Sequence, residues 1–286
     1  MNIPSLPLGR FGEAAVHWIT LHWAPLITAF GTGVTALNAG IVWLLTVVPP
    51  LASIAGFTVM SWSAAGRRLA LFAAVGLLFV WNQGLWISTM KTLGLVLTAT
   101  ILSLVVAIPL GIVMAESRSL RSALTPALDF LQTMPRFVYL IPAVIILGID
   151  VAPAVFATMT LAIVPPARLT AIGIAAIERE AIEAAESMGC SRWQLLAKVK
   201  LPLALPAIML GVNQCMMMAL SMVIIASLIG ASGLGDEILM AIALLDSGRG
   251  VIAGFAVLVL AIMLDRTTKG WAGKLPQNRR PMRGEG

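Results

Sequence analysis

The sequence predicts an all-α protein that crosses a membrane several times, and three observations carry that prediction. Of 286 residues, 59% are hydrophobic and 11% charged, where a water-soluble domain has about a quarter charged. Mean hydropathy is +0.96. The few charges are also clustered, leaving uncharged windows long enough for spans of about 20 apolar residues.

Taken in order, the N-terminus has no basic segment followed by an apolar run, so it does not read as a cleavable signal peptide, and the first span is expected to direct insertion. Residues 14–66 carry no Asp, Glu, Lys or Arg. Within them Ile27, Phe30, Val34, Leu37, Ile41, Leu44 and Val48 recur at three-four spacing, with Thr28, Thr32, Thr35 and Asn38 between. That pattern predicts an amphipathic helix lying in the interface, ended by Pro49-Pro50. Residues 1–49 therefore read as a tail and interfacial helix, with the first span near 50–66. The windows 69–90, 92–115 and 201–235 each supply a span. Windows 137–149 and 151–167, interrupted by Pro142, Pro153, Pro165 and Pro166, read as a tight helical hairpin with Asp150 at its tip. The window 250–264, lengthened back through Gly248, supplies the last. About seven spans result within residues 50–270, or eight if 24–48 also crosses, followed by a basic tail over 271–286.

The net charge is +6, from 19 Lys+Arg against 13 Asp+Glu. The bases form neither an arginine-rich arm nor an aromatic-spaced stripe, so no nucleic acid is expected. They sort instead by side. With the C-terminus cytoplasmic, sixteen of the nineteen, including Arg67, Arg68, Arg118, Arg121, Arg136, Arg168 and the run Arg179 to Lys200, fall at the cytoplasmic face, leaving Arg10, Lys91 and Arg249 outside. Basic residues are retained on that side during insertion, which favours N-terminus outside and C-terminus inside. Cys190 and Cys215 make no disulfide framework.

The longest cytoplasmic loop, 171–201, carries the motif. Glu183-Ala184-Ala185 is followed by three residues, Gly189, nine residues, Val199, one residue, then Leu201-Pro202. Arg179 to Met188 are strong helix formers, Gly189 supplies the backbone freedom for a sharp turn, and Ser191 with Gln194 makes a capping box for a second short helix. Two short helices in an L are expected. Glu180, Glu183 and Ala184 lie at i, i+3 and i+4, and small Ala184 and Ala185 leave room for a partner surface.

This spacing resembles E-A-A-x3-G-x9-I-x-L-P, the signature of membrane subunits of ATP-binding-cassette importers, with Val199 for Ile the one departure. The runs LDFLQTMPRFVYLIP (128–142), VPPARLT (164–170) and 198–235 further resemble permeases for glycine betaine, proline betaine and choline, over roughly residues 85–270. Arg136 departs from that family, which carries a small residue there; it reads either as a headgroup anchor or as a cation tuning release of a quaternary ammonium. The resemblance implies a type I ABC importer transmembrane domain in the bacterial inner membrane. It implies a homodimer, two copies of a separate ATPase, and an extracytoplasmic substrate-binding protein carried on another chain. Glu180, Glu183, Ala184, Ala185, Met188 and Gly189 would form the coupling contact with the ATPase. The chain lacks a G-x-x-x-x-G-K-[ST] cradle, so ATP and Mg would be bound by the partner, and no cofactor by this chain.

Proline-broken spans free backbone carbonyls that can face a polar solute only where they line a cavity. Gln132, Thr133, Pro135 and Tyr139, with Asn213, Gln214 and Ser221, are therefore the candidate translocation path, although the same groups could bond to neighbouring helices. Tyr139, the only tyrosine, offers a cation an aromatic face. Gly31 to Ala36 matches G-x-G-x-x-A without a preceding strand or a following acid, and His17 and His22 have neither zinc spacing nor a third ligand. Met216, Met217, Met218 and Met222 read as packing. Histidine, carnitine or another amino-acid derivative is the alternative substrate. An ion-coupled carrier is disfavoured because the windows hold no central acid or base, and an intramembrane enzyme because no catalytic set assembles.

Overall fold

A computed structural model describes residues 16–274, and among them every regular element is helical. The tails 1–15 and 275–286, with Arg10, Arg279, Arg280 and Arg283, lie outside the described residues. After a short helical segment, 16–22, the chain forms α1 (Ala24–Val47), α2 (Pro50–Ala65), α3 (Arg67–Asn82) and α4 (Trp86–Glu116). Then come α5 (Arg118–Thr133), a 3-10 turn (Arg136–Tyr139), α6 (Leu140–Leu147), α7 (Val151–Ala162) and α8 (Val164–Ala175). The cytoplasmic loop holds α9 (Arg179–Ser187) and α10 (Arg192–Leu195), and a π-helical turn (Leu196–Lys200) leads into α11 (Leu201–Ser227), α12 (Leu234–Ala243) and α13 (Ser247–Gly273).

By length and composition, five stretches can cross a bilayer: α1, α4, α7 with α8, α10 with α11, and α13. The pair α5 and α6, bent by 105°, makes up to six. This is fewer than the seven that the uncharged windows predict, and the shortfall sits at α2 and α3. Each has 16 residues, about 24 Å of helix against a hydrocarbon core of about 30 Å. The window 69–90 overstates its helix, which stops at Asn82 before Gly84 turns the chain with a positive φ.

Residues 24–48, assigned to the interface by their pattern, form a helix long and apolar enough to span. Its threonines do not require water. Thr28 donates to the Ala24 carbonyl at 2.9 Å, Thr32 to that of Thr28 at 2.9 Å, and Thr46 to that of Val42 at 2.8 Å, so the hydroxyls are satisfied by the helix's own backbone. Asn38 is buried against α4, where Thr98 Oγ1 donates to its Oδ1 at 3.3 Å. Thr35 donates to Asp150 Oδ2 at 3.4 Å across a cavity of about 580 Å³ between α1 and the α6–α7 turn. The hairpin tip is where the prolines predict it: the chain turns at Gly148 and Asp150 is the N-cap position of α7.

The centre is α4, α8 and α11, packed through small residues as membrane helices are when no hydrophobic force draws them together. A Cβ built on Gly211 would stand 2.7 Å from the Pro166 Cα, and one on Gly173 2.6 Å from the Ala207 Cβ. Both close approaches exclude any larger side chain without separating α8 from α11.

Candidate functional site

The coupling loop is built from local signals. After α9 the chain reverses at Gly189, whose φ is +79. The Gly189 N–H donates to the Glu186 carbonyl at 2.9 Å and the Cys190 N–H to the Ala185 carbonyl at 3.3 Å, the paired bonds of a glycine helix stop. Ser191 then starts α10: the Gln194 N–H donates to Ser191 Oγ at 3.3 Å, and the Ser191 N–H donates to Gln194 Oε1 at 2.8 Å. The predicted capping box and the predicted turn are both present.

Glu180, Glu183 and Ala184 face outward, with Glu183 in an i,i+4 ion pair to Arg179 at 2.8 Å. Ala185 does not face outward. It is 3% exposed, so its small size serves packing within the chain. Met188 and Trp193, on either side of Gly189, are 78% and 79% exposed. Each is a large apolar side chain exposed in a charged stretch. The sequence reading missed Trp193, whose available signal was a single indole in the most charged stretch of the chain.

No loop separates this region from the spans. α10 passes through the π-helical turn directly into α11, and Lys200 Nζ holds Glu116 Oε1 at the end of α4 at 2.5 Å. α10 is therefore joined to α11 through continuous helix.

The path candidates meet partway along α11. α5 ends at Thr133 and the chain bends by 105° around Met134 and Pro135. The Tyr139 hydroxyl donates back across the bend to the Leu131 carbonyl. Gln132, Thr133 and Pro135 are exposed beside it, the Thr133 hydroxyl bonding to the Phe130 carbonyl at 3.1 Å. Arg136 Nη1 donates to Ser221 Oγ at 3.2 Å, and Ser221 donates to the Met218 carbonyl at 2.8 Å. Gln214, exposed and seven residues before Ser221, lies on the same face of α11. Met222 packs with Leu140, Ala143 and Leu161 behind the bend, as the packing reading of the methionines expects.

Asn213 is not among them. It is 4% exposed, its Nδ2 donates to Asp265 Oδ1 at 3.0 Å, and its Oδ1 accepts from Thr268. The carboxamide is consumed in tying α11 to α13.

Arg136 is also displaced from its expected place at the cytoplasmic boundary. Its partner Ser221 is twenty residues into α11, about 30 Å from the end that joins the coupling loop, and about 9 Å from the other end. The reason is the bend: α5 carries the chain into the membrane before it breaks. Arg136 thus leaves the set of bases expected at the cytoplasmic face and stands beside a candidate span instead.

At the end of the molecule remote from the coupling loop, Glu237 on α12 accepts from Arg249 Nη2 at 2.7 Å and from Ser88 at 3.0 Å. The Arg249 hydrogen bond is the main cause holding the Glu237 carboxyl below its ordinary range, against partial burial, which raises it. The backbone N–H of Leu234 donates to Thr92 Oγ1 at 2.8 Å, fixing α12 on α4.

Comparisons with known proteins fit this arrangement. Residues 107–269 match the model of the family described as binding-protein-dependent transport system inner membrane component. The glycine betaine/carnitine transport permease protein GbuB of Listeria monocytogenes serotype 1/2a is 42% identical over 281 residues, covering 96% of this chain and 98% of its own. The glycine betaine transport system permease protein OpuAB of Bacillus subtilis is 40% identical, covering 94% and 95%. ProW of Escherichia coli K12, a glycine betaine/proline betaine transport system permease protein, is 39% identical, covering 92% and 75%. In fold, a membrane chain of the MetNI methionine ABC transporter superposes with a TM-score of 0.60 at 18% identity, over 65% of this chain and 93% of that one.

Proposed function

The chain belongs to the family of binding-protein-dependent transport system inner membrane components, and from that premise we propose how it works and what it carries. It is the multi-pass permease subunit of an ABC importer of the bacterial inner membrane. It acts as a homodimer with two copies of a separate ATPase that binds ATP and Mg, and receives substrate from an extracytoplasmic binding protein. The substrates are glycine betaine, proline betaine and choline-type compounds. Carnitine is the second candidate, because the GbuB relative is named for both glycine betaine and carnitine.

The observation that supports the mechanism is the helical route from α10 through the π-helical turn to the face of α11 that carries Gln214 and Ser221, with the exposed α9 joined to α10 by the tight Gly189 stop. Glu180, Glu183, Ala184, Met188 and Gly189 form the contact with the ATPase, and closure of two ATPase subunits draws two such loops together, switching the path between its two sides. Gln132, Thr133, Pro135, Tyr139, Gln214 and Ser221 line that path. The tests are uptake and coupling in proteoliposomes. Glu183→Lys should leave the protein in the membrane while ATP hydrolysis no longer drives uptake; normal uptake by this variant would sink the coupling assignment. Uptake that survives collapse of ion gradients but not ATP depletion separates this reading from an ion-coupled carrier.

A further inference from the structure

Arg136 is the one feature of the path that neither coupling nor packing uses. No acidic side chain lies within 4 Å of it among the described residues, where Asp129 is taken by Arg168, Glu116 by Lys200 and Glu237 by Arg249. Its one hydrogen bond, 3.2 Å to Ser221 Oγ, employs a single N–H, and a guanidinium has five in a planar fork that matches a carboxylate. The side chain is exposed on the protomer surface. Arg136 and Tyr139 are the first and last residues of a 3-10 turn, and in such a turn residues three apart eclipse one another. The turn therefore carries a guanidinium and a phenol on one edge at a break in the helix, the Arg136 head held at Ser221 and the Tyr139 ring half-buried beside Leu140 and Met222. One attracts an anion, the other a cation by its ring face.

We propose that Arg136 and Tyr139 form a two-pole site for a zwitterion, in which the substrate's carboxylate bonds to the Arg136 guanidinium while its quaternary ammonium rests on the Tyr139 ring, so that the permease favours carboxylate-bearing betaines and rejects choline. Ser221 holds the guanidinium in position until the carboxylate arrives. Choline carries the same trimethylammonium head without the carboxylate, so it meets an unneutralised cation. Rejection of this kind, by a repulsive element in the site, adds to the selectivity that the binding protein exerts upstream. The inference rests on the substrate reading above and narrows it to betaines with a carboxylate.

The test bypasses the binding protein. With the permease and ATPase assembled in nanodiscs without nucleotide, saturation-transfer NMR on the N-methyl protons compares glycine betaine with choline. The wild type should contact glycine betaine about tenfold more strongly, the value of one charge-assisted pair, Arg136→Gln should bring the two ligands to parity, and Arg136→Lys should fall between. In proteoliposomes with the binding protein, Arg136→Gln should slow glycine betaine uptake per assembled transporter and Arg136→Lys should restore part of it, a recovery that a merely unfolded variant would not show. Equal contact with both ligands in the wild type, or discrimination unchanged in Arg136→Gln, overturns the proposal while leaving the substrate class standing. Absence of glycine betaine uptake by the wild type overturns the substrate class and the proposal together.

Discussion

Gly189 offers the cleanest perturbation of the coupling loop because its effect is conformational and nothing else. Its φ is +79, in the left-handed region, and a Cβ built there meets no heavy atom within 4 Å. An alanine therefore adds no clash with a neighbour. It adds only the crowding of Cβ against its own backbone, about 1–2 kcal/mol for a non-glycine residue in this region, which is a factor of about 5–30 in the population of the turned loop. Asparagine tolerates the left-handed region better, and a β-branched residue tolerates it worst. The expected order of coupling is Gly, then Asn, then Ala, then Val. The assay is the number of ATP molecules hydrolysed per substrate imported in proteoliposomes, with the amount of assembled transporter measured on the same vesicles. Because the change lies outside the spans, assembly should be unaffected in Gly189→Asn and Gly189→Ala. Wild-type coupling in Gly189→Val, or an alanine variant better coupled than the asparagine one, would refute the claim that this backbone geometry sets the docking angle of α9.

Three further outcomes follow from other parts of the structure. Gly211→Val should cost about 1–3 kcal/mol by overpacking, since its Cβ would press on the Pro166 backbone at 2.7 Å, and a thermal melt in detergent should show it, with Gly254→Val, where a Cβ meets nothing within 4 Å, as the control. Asn213→Leu should destabilise by a similar amount because Asp265 and Thr268 each lose a partner, yet leave the substrate KM of the surviving transporter unchanged; a raised KM would return Asn213 to the path. Glu237 has a carboxyl held below its ordinary value, mainly by the Arg249 hydrogen bond, so the stability it contributes is present above the unfolded carboxylate pKa of about 4.3 and is lost as pH falls through the lower folded value. Melts of wild type and Glu237→Gln should therefore converge on acidification below that range, and a gap that instead widens would show the sign to be wrong.

What could be read from sequence divides by the distance over which the determining contacts act. The coupling loop was legible because each of its parts is decided within a few residues: helix formers from Arg179, a left-handed glycine at 189, a serine and a glutamine three apart. The number of long spans was less so. Uncharged windows measure where a helix is permitted: α2 fills its window yet has only 16 residues, and α3 stops at Asn82, eight residues short of its window, just before Gly84 with its positive φ. The contacts of the polar stripe of α1 were not legible either, because a sequence does not reveal that Thr28 and Thr32 bond to their own backbone, or that Asn38 meets Thr98 sixty residues on. The surroundings of the bend after α5 were half legible for the same reason. Pro135 marked the break, but the sequence holds nothing that sends Arg136 to Ser221 or Asn213 to α13, since those partners are 85 and 52 residues away.

The placement of stiff and soft segments determines where a push on the coupling loop is spent. α11 is 27 residues, about 40 Å of helix, and over its first half it packs closely on α8 at Gly173 and Gly211. α9 and α10 are fixed to each other by the Gly189 stop and the capping box. Between these two parts stand the π-helical turn Leu196–Lys200 and, on the α8 side, the short link from Ala176 to Glu178. The π turn has a poorer hydrogen-bond register than an α-helix and is the weaker joint. Lys200, bonded to Glu116 on α4 at 2.5 Å, sits at its upper end as a pivot. Under the coupling proposed above, a force entering at Met188 would be taken up as rotation about Lys200, and the motion delivered to Ser221, some 30 Å up the helix, would be a tilt of α8 and α11 against α4. The Arg136 contact would then lie on the far arm of that lever, where a small rotation produces the largest displacement.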